Sequence, residues 1–95
     1  MSFALEGKTA LVTGASRGIG KAIAERLAAA GAAVVINYTR NEQLAQAVVN
    51  TILGKGGKAV AIHADISKSA DIRRLFNETE KAMTRLDIVV ALRAG

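Results

Sequence analysis

Without a cysteine, the chain has no disulfide framework, no thiolate nucleophile and no cysteine metal site. Its single histidine, His63, has no second ligand with which to form a structural zinc site. Proline is absent too, and with 51% apolar residues the chain is too hydrophobic to be disordered. Aromatic residues are scarce, one tyrosine and two phenylalanines among 95 residues, which removes the stacking platforms that single-strand nucleic-acid binders use. The net charge of +5 does not restore that reading, because the thirteen lysines and arginines are scattered from Lys8 to Arg93 and only Arg73 and Arg74 adjoin. No apolar run approaches the roughly 18 residues of a membrane span. The start, Met1 to Lys8, has neither a basic beginning nor an apolar core. These absences predict no nucleic-acid partner, no membrane partner and a cytoplasmic location.

What is present alternates. Lys8 to Thr13 is a short apolar run closed by glycine, the form of a strand buried on both faces. Ile19, Ile23 and Leu27 then recur at helical spacing until Gly31. Ala33 to Asn37 is a second buried strand, and Leu44, Val48 and Ile52 mark a second helix that stops at Gly54-Lys55-Gly56-Gly57. Lys58 to His63 supplies a third strand. Ile72, Leu75, Phe76, Thr79 and Met83 line a third helix, with Ser69 as its cap and Asp71 in its first turn. Asp87 to Ala91 supplies a fourth strand. This alternation predicts an α/β fold with a doubly wound parallel sheet, since parallel strands need crossovers and the crossovers cover the faces. Right-handed connections give four strands in the order 3-2-1-4 with three helices, in one domain without an internal boundary.

Between the first strand and the first helix lies Thr13-Gly14-Ala15-Ser16-Arg17-Gly18-Ile19-Gly20. A strand, a glycine turn and a helix N-terminus together bring backbone N–H groups against a pyrophosphate. Gly14 makes the turn, Gly18 the close phosphate approach and Gly20 the tight helix contact, each where a Cβ would obstruct. Taken alone, such a triplet is also an ordinary turn.

The Thr-Gly-x-x-x-Gly-x-Gly spacing resembles the signature of the short-chain dehydrogenase/reductase family. Two further landmarks fall in register, Asp65-Ile66 after the third strand and Leu86 to Val90 entering the fourth. The likeness runs from Leu5 to Val90. In wording it most resembles bacterial β-ketoacyl-carrier-protein reductases and the related sugar dehydrogenases, which share Ala-Ser-Arg-Gly-Ile-Gly and an Asn-Tyr after the second strand. The resemblance implies a Rossmann-like dinucleotide site. In it Ser16, Arg17, Gly18 and Ile19 face the phosphates and adenosine ribose, Asp65 accepts from the adenine amino group, and the Ile66 N–H meets a ring nitrogen. Read on its own, Asp65 is a turn or helix-approach aspartate.

An acid about 20 residues past the glycine loop would bind the ribose 2′-OH of NAD and repel a 2′-phosphate. Here that stretch is Asn37-Tyr38-Thr39-Arg40, with no carboxylate and with Arg17 and Arg40 flanking the phosphate position. NADP(H) is therefore favoured over NAD(H), the alternative for Arg40 being a solvated loop residue.

The family's chemistry needs a serine, and a tyrosine whose pKa a lysine four residues later lowers. The one tyrosine, Tyr38, is followed four residues on by Glu42, so it reads as a cofactor-edge or packing residue, and no catalytic residue is assigned. The fourth strand of the family runs into Asn-Asn-Ala-Gly, whereas Val90 here is followed by Ala91-Leu92-Arg93-Ala94-Gly95. Residues 1–95 thus read as the cofactor-binding half of such an oxidoreductase, truncated after the fourth strand and binding a nicotinamide dinucleotide without catalysis. The competing reading is an interaction module, in which the exposed edge of Ile88-Val89-Val90 pairs with another copy or a partner chain. An enzyme of another class finds no paired carboxylates, no nucleophile with a base and no metal cluster to stand on.

Overall fold

The computed structural model describes residues 4–16, 18–83 and 85–92. Seven elements follow one another: β1 (Thr9–Val12), α1 (Gly18–Ala29), β2 (Ala33–Tyr38), α2 (Glu42–Gly54), β3 (Lys58–His63), α3 (Ser69–Met83) and β4 (Ile88–Val90). The four strands form one parallel sheet in the order β3-β2-β1-β4, as the β/α alternation predicts. Leu11 lies level with Val35 and Val89, and Val35 with Val60, so one row of apolar side chains crosses the sheet.

Strand alternation divides the core in two. Ala10, Val12, Val34, Ile36 and Ala59 face Ala24 of α1 and Ala45, Val48, Val49 and Ile52 of α2. Leu11, Val35 and Ile62 face Leu75 of α3 on the other side. Both faces of β1 and β2 are therefore covered, which is why these strands are nearly continuous apolar runs rather than alternating ones.

Several expected helix contacts differ. Ile19 is 72% exposed, and the buried positions of α1 are Gly20 and Ala24 instead, with Ile23 and Leu27 half-buried beside them. At Gly20 the helix lies too close to the turn before it for any side chain. Leu44 and Phe76 are also partly open to solvent. Ser69, expected as the cap of α3, is its first helical residue. Asn41 caps α2, its side-chain oxygen accepting from the Leu44 N–H at 3.0 Å.

At the start of β4, Asp87 joins this edge strand to β1. Its Oδ2 accepts from the Thr9 N–H at 2.9 Å, its own N–H donates to the Thr9 carbonyl, and Arg85 Nε donates to Oδ1 at 3.0 Å. The Thr9 hydrogen bond and then the Arg85 guanidinium hold the Asp87 carboxyl below its ordinary value. Its folded pKa is thus lower than its unfolded one, so its contribution is whole above about pH 4 and is lost as pH falls below that.

Two outcomes follow for stability. Leu75→Ala, at a side chain only 1% exposed, lowers unfolding free energy by about 2–5 kcal/mol, seen as a lower urea midpoint at an unchanged slope. Asp87→Asn flattens the acid limb of a melting-temperature profile between about pH 5 and 2 relative to the parent chain.

Candidate functional site

Parallel βα units place every helix N-terminus at the carboxyl end of the sheet, which is where an open α/β sheet binds its ligands. Four strand exits meet there: the turn from Thr13, the turn from Tyr38 to Asn41, the segment from Ala64 to Lys68, and Ala91-Leu92.

The first exit is shaped by glycine. Gly14 and Gly18 have φ of +61° and +63°, a region costly for residues with a Cβ, and a Cβ on either would enter open space. Gly20 is constrained differently, since a Cβ there would stand 2.3 Å from the Gly14 carbonyl oxygen. The helix thus rests on the backbone of the turn that precedes it. The first turn of α1 carries no acidic residue, and the leading N–H groups of a helix have no partner within it. Partial positive charge and free donors therefore face the space over Gly14 and Gly18, a donor set that fits a phosphate group. Ser16 is half-buried at this turn and Ile19 projects from it. Arg17 lies outside the described residues.

Backbone and side-chain bonds hold the exits to one another. The Thr13 N–H donates to the Val90 carbonyl at 3.0 Å, and the Leu92 N–H donates to Thr13 Oγ1 at 2.8 Å. The Ala15 N–H donates to the Asn37 carbonyl at 3.2 Å, and the Ala64 N–H to the Tyr38 carbonyl at 3.0 Å.

Asn37 corrects the sequence reading. Its side chain, in the stretch expected to bind the cofactor, is 1% exposed, and its Nδ2 donates to the carbonyls of Ile62 and Ala64 at 3.3 and 3.2 Å. A buried amide must be satisfied, and this one is spent on the ends of two strands rather than on a ligand. Thr39 and Arg40, in contrast, are exposed beyond the strand.

Tyr38 donates to Glu42 Oε2 at 3.4 Å and meets the His63 ring edge-on, with centroids 5.5 Å apart. Burial first, and then the Glu42 carboxylate, push its phenol up. That direction is opposite to the lowering that the family's catalytic tyrosine requires.

Asp65 Oδ1 accepts from the Ser67 hydroxyl at 2.6 Å and the Ser67 N–H at 3.0 Å. These bonds, with smaller help from Lys68 and Arg40, hold its carboxyl below the ordinary value. The Asp65 N–H donates to Asp71 Oδ2 at 2.8 Å, so the loop is braced from α3. Arg74 completes the brace, donating to the His63 carbonyl at 2.8 Å and to Glu78 Oε2 at 2.9 Å. The Ile66 side chain packs under the loop against the Leu75 cluster.

A separate depression of about 610 Å³ lies at the opposite end of the sheet, between Gly7, Lys8, Gly31, Lys55, Gly56 and Met83. The C-termini of all three helices converge there, and its lysines offset their partial negative charge. Among the described residues no group of three or more acidic or histidine side chains could hold a metal ion. No helix of the described residues is long and apolar enough to cross a membrane.

The short chain dehydrogenase family model matches residues 8–94. The chain belongs to that family. A hydroxynaphthalene reductase-like protein of Metarhizium guizhouense is 55% identical over 87 residues, which are 92% of this chain and 33% of the relative. A solved dehydrogenase/reductase from Sinorhizobium meliloti superposes with a TM-score of 0.92 at 52% identity, over 96% of this chain and 36% of its own. A short chain dehydrogenase from Burkholderia cenocepacia, solved in complex with NADP, gives 0.87 at 47% identity, over 96% of this chain and 39% of its own. The chain thus spans about a third of the length of these short-chain dehydrogenases.

For Thr13 and His63 the sequence names no bonding partner. A hydroxyl closing a buried strand was the available signal for Thr13. For His63 there was none, because its partner is 24 residues away.

The contact between Gly20 and Gly14 allows a direct check. Gly20→Ala forces the helix off the turn, lowering the thermal midpoint and moving amide NMR signals from Thr13 to Ala24, whereas Gly54→Ala, with open space around it, leaves those signals in place.

Proposed function

We propose that residues 1–95 form the dinucleotide-binding half of an NADP(H)-dependent short-chain oxidoreductase, and that alone they bind the cofactor without turning over a substrate. The observation that carries this reading is the glycine turn, open above Gly14 and Gly18, set against the acid-free N-terminus of α1. Backbone N–H groups of Gly18, Ile19 and Gly20, with the Ser16 hydroxyl, would hold the pyrophosphate. For Arg17, the assignment to phosphates and adenosine ribose rests on the family resemblance alone. The Asp65 carboxylate, kept ionised by Ser67, would accept from the adenine amino group, with the Ile66 N–H on a ring nitrogen. Exposed Ile19 would cover the cofactor from the helix side.

The choice of NADP(H) over NAD(H) rests on the turn after β2. No carboxylate stands at the end of that strand, and Arg40 is exposed where a ribose 2′-phosphate would lie. The Burkholderia neighbour, solved with NADP, supports that choice. When bound, the nicotinamide supplies a hydride for carbonyl and hydroxyl interconversion. The serine, tyrosine and lysine that direct this in the family have no counterparts on these strands. The finer likeness to β-ketoacyl-carrier-protein reductases rests on the wording of the glycine turn and of Asn37-Tyr38 alone.

One observation favours a second reading. Val89, level with buried Leu11 and Val35, is 48% exposed on the edge strand β4. A half-sheet with such an edge can pair with a second copy or another chain.

Calorimetric titration separates the two. Saturable NADPH binding, weaker for NADH and lost in Gly18→Val, with no carbonyl reduction, is expected. A folded chain that binds neither nucleotide and whose mass rises with concentration would give the second reading the lead.

A further inference from the structure

Thr39 and Arg40 leave β2 with exposed side chains, so no core packing fixes the direction of this turn. What holds it comes from the neighbouring exit of β3. Thr39 Oγ1 donates to the Ala64 carbonyl at 3.4 Å, a long bond. The shorter one is made by His63, whose Nε2 lies 3.0 Å from the Thr39 carbonyl. Because a carbonyl oxygen only accepts, Nε2 carries the hydrogen. The His63 ring is steadied in turn by the Tyr38 ring, which it meets at 63°, and its backbone by Arg74 on its carbonyl. His63 is thus a strut, held at both ends, against the peptide that immediately precedes Arg40. The Arg40 charge adds a minor pull, behind the Ser67 bonds and Lys68, that holds the Asp65 carboxyl below its ordinary value.

We propose that His63 is a positioning residue for cofactor choice: by holding the Thr39 carbonyl it directs the turn from Thr39 to Asn41 so that Arg40 meets the ribose 2′-phosphate. This deepens the NADP(H) reading and rests on it. The strut acts on the one part of the cofactor that NADP(H) has and NAD(H) lacks. Removing it therefore changes the ratio of the two affinities, not affinity in general. An exposed residue whose only task was to stabilise the sheet would lower both together.

The test titrates the full chain, as parent, His63→Leu and His63→Gln, with NADPH, NADH and 2′,5′-ADP, and records the thermal midpoint of each. His63→Leu is expected to weaken NADPH and 2′,5′-ADP about five-fold, the worth of one partly exposed hydrogen bond, while NADH changes less than about two-fold. His63→Gln, whose terminal amide nitrogen reaches the same carbonyl, restores the parent ratio. An unchanged NADPH to NADH ratio in His63→Leu, or equal loss of both with a lowered midpoint, overturns the proposal and leaves the NADP(H) reading standing. A folded parent chain that binds none of the three overturns that reading, and the role of His63 with it.

Discussion

Helix α1 lies on the turn that precedes it, with Gly20 against the carbonyl of Gly14, and no side chain fits between them. Much of the site depends on this approach. It aims the free N–H groups of the helix at the space above the turn, and it fixes the loop from which Ala15 bonds to Asn37 of the next strand. Gly20 and Ala24 are the buried residues of α1, and Ile19 is turned outward beside the crevice. A packing requirement and a binding geometry are met by one residue without a Cβ.

The sheet is electrically polar from end to end, because parallel units point all their helices the same way. Helix N-termini gather over the exits of β1, β2 and β3, where an anion is favoured. The C-termini gather over the depression at the far end, where Lys8, Lys55 and Lys58 compensate them. Three of the thirteen basic residues thus stand where the helix C-termini gather.

Polar side chains serve as fasteners between strands. Asn37 bonds to two carbonyls of the β3 exit, Thr13 holds the exit of β4, and Asp87 closes the opposite end of the same strand pair. These fasteners keep the exits in fixed relation, which a ligand spanning several of them requires. The edge strand β4 is fastened on one side only. The solved relatives extend over about two and a half times the length of this chain.

The strands, the helices, the order 3-2-1-4 and the glycine turn were legible in the sequence, because each is set by local periodicity, by the need for crossovers and by residues that tolerate a positive φ. The tertiary structure alone decided that Asn37 looks into the sheet, that Ile19 looks out, and that His63 braces the carbonyl of Thr39. Those outcomes depend on which residues of β2 and β3 stand opposite one another and on how near α1 comes to its turn. Sequence spacing fixes the face a residue occupies within its own element. Its neighbour across the sheet is fixed by long-range pairing, and no local pattern in the chain encodes that.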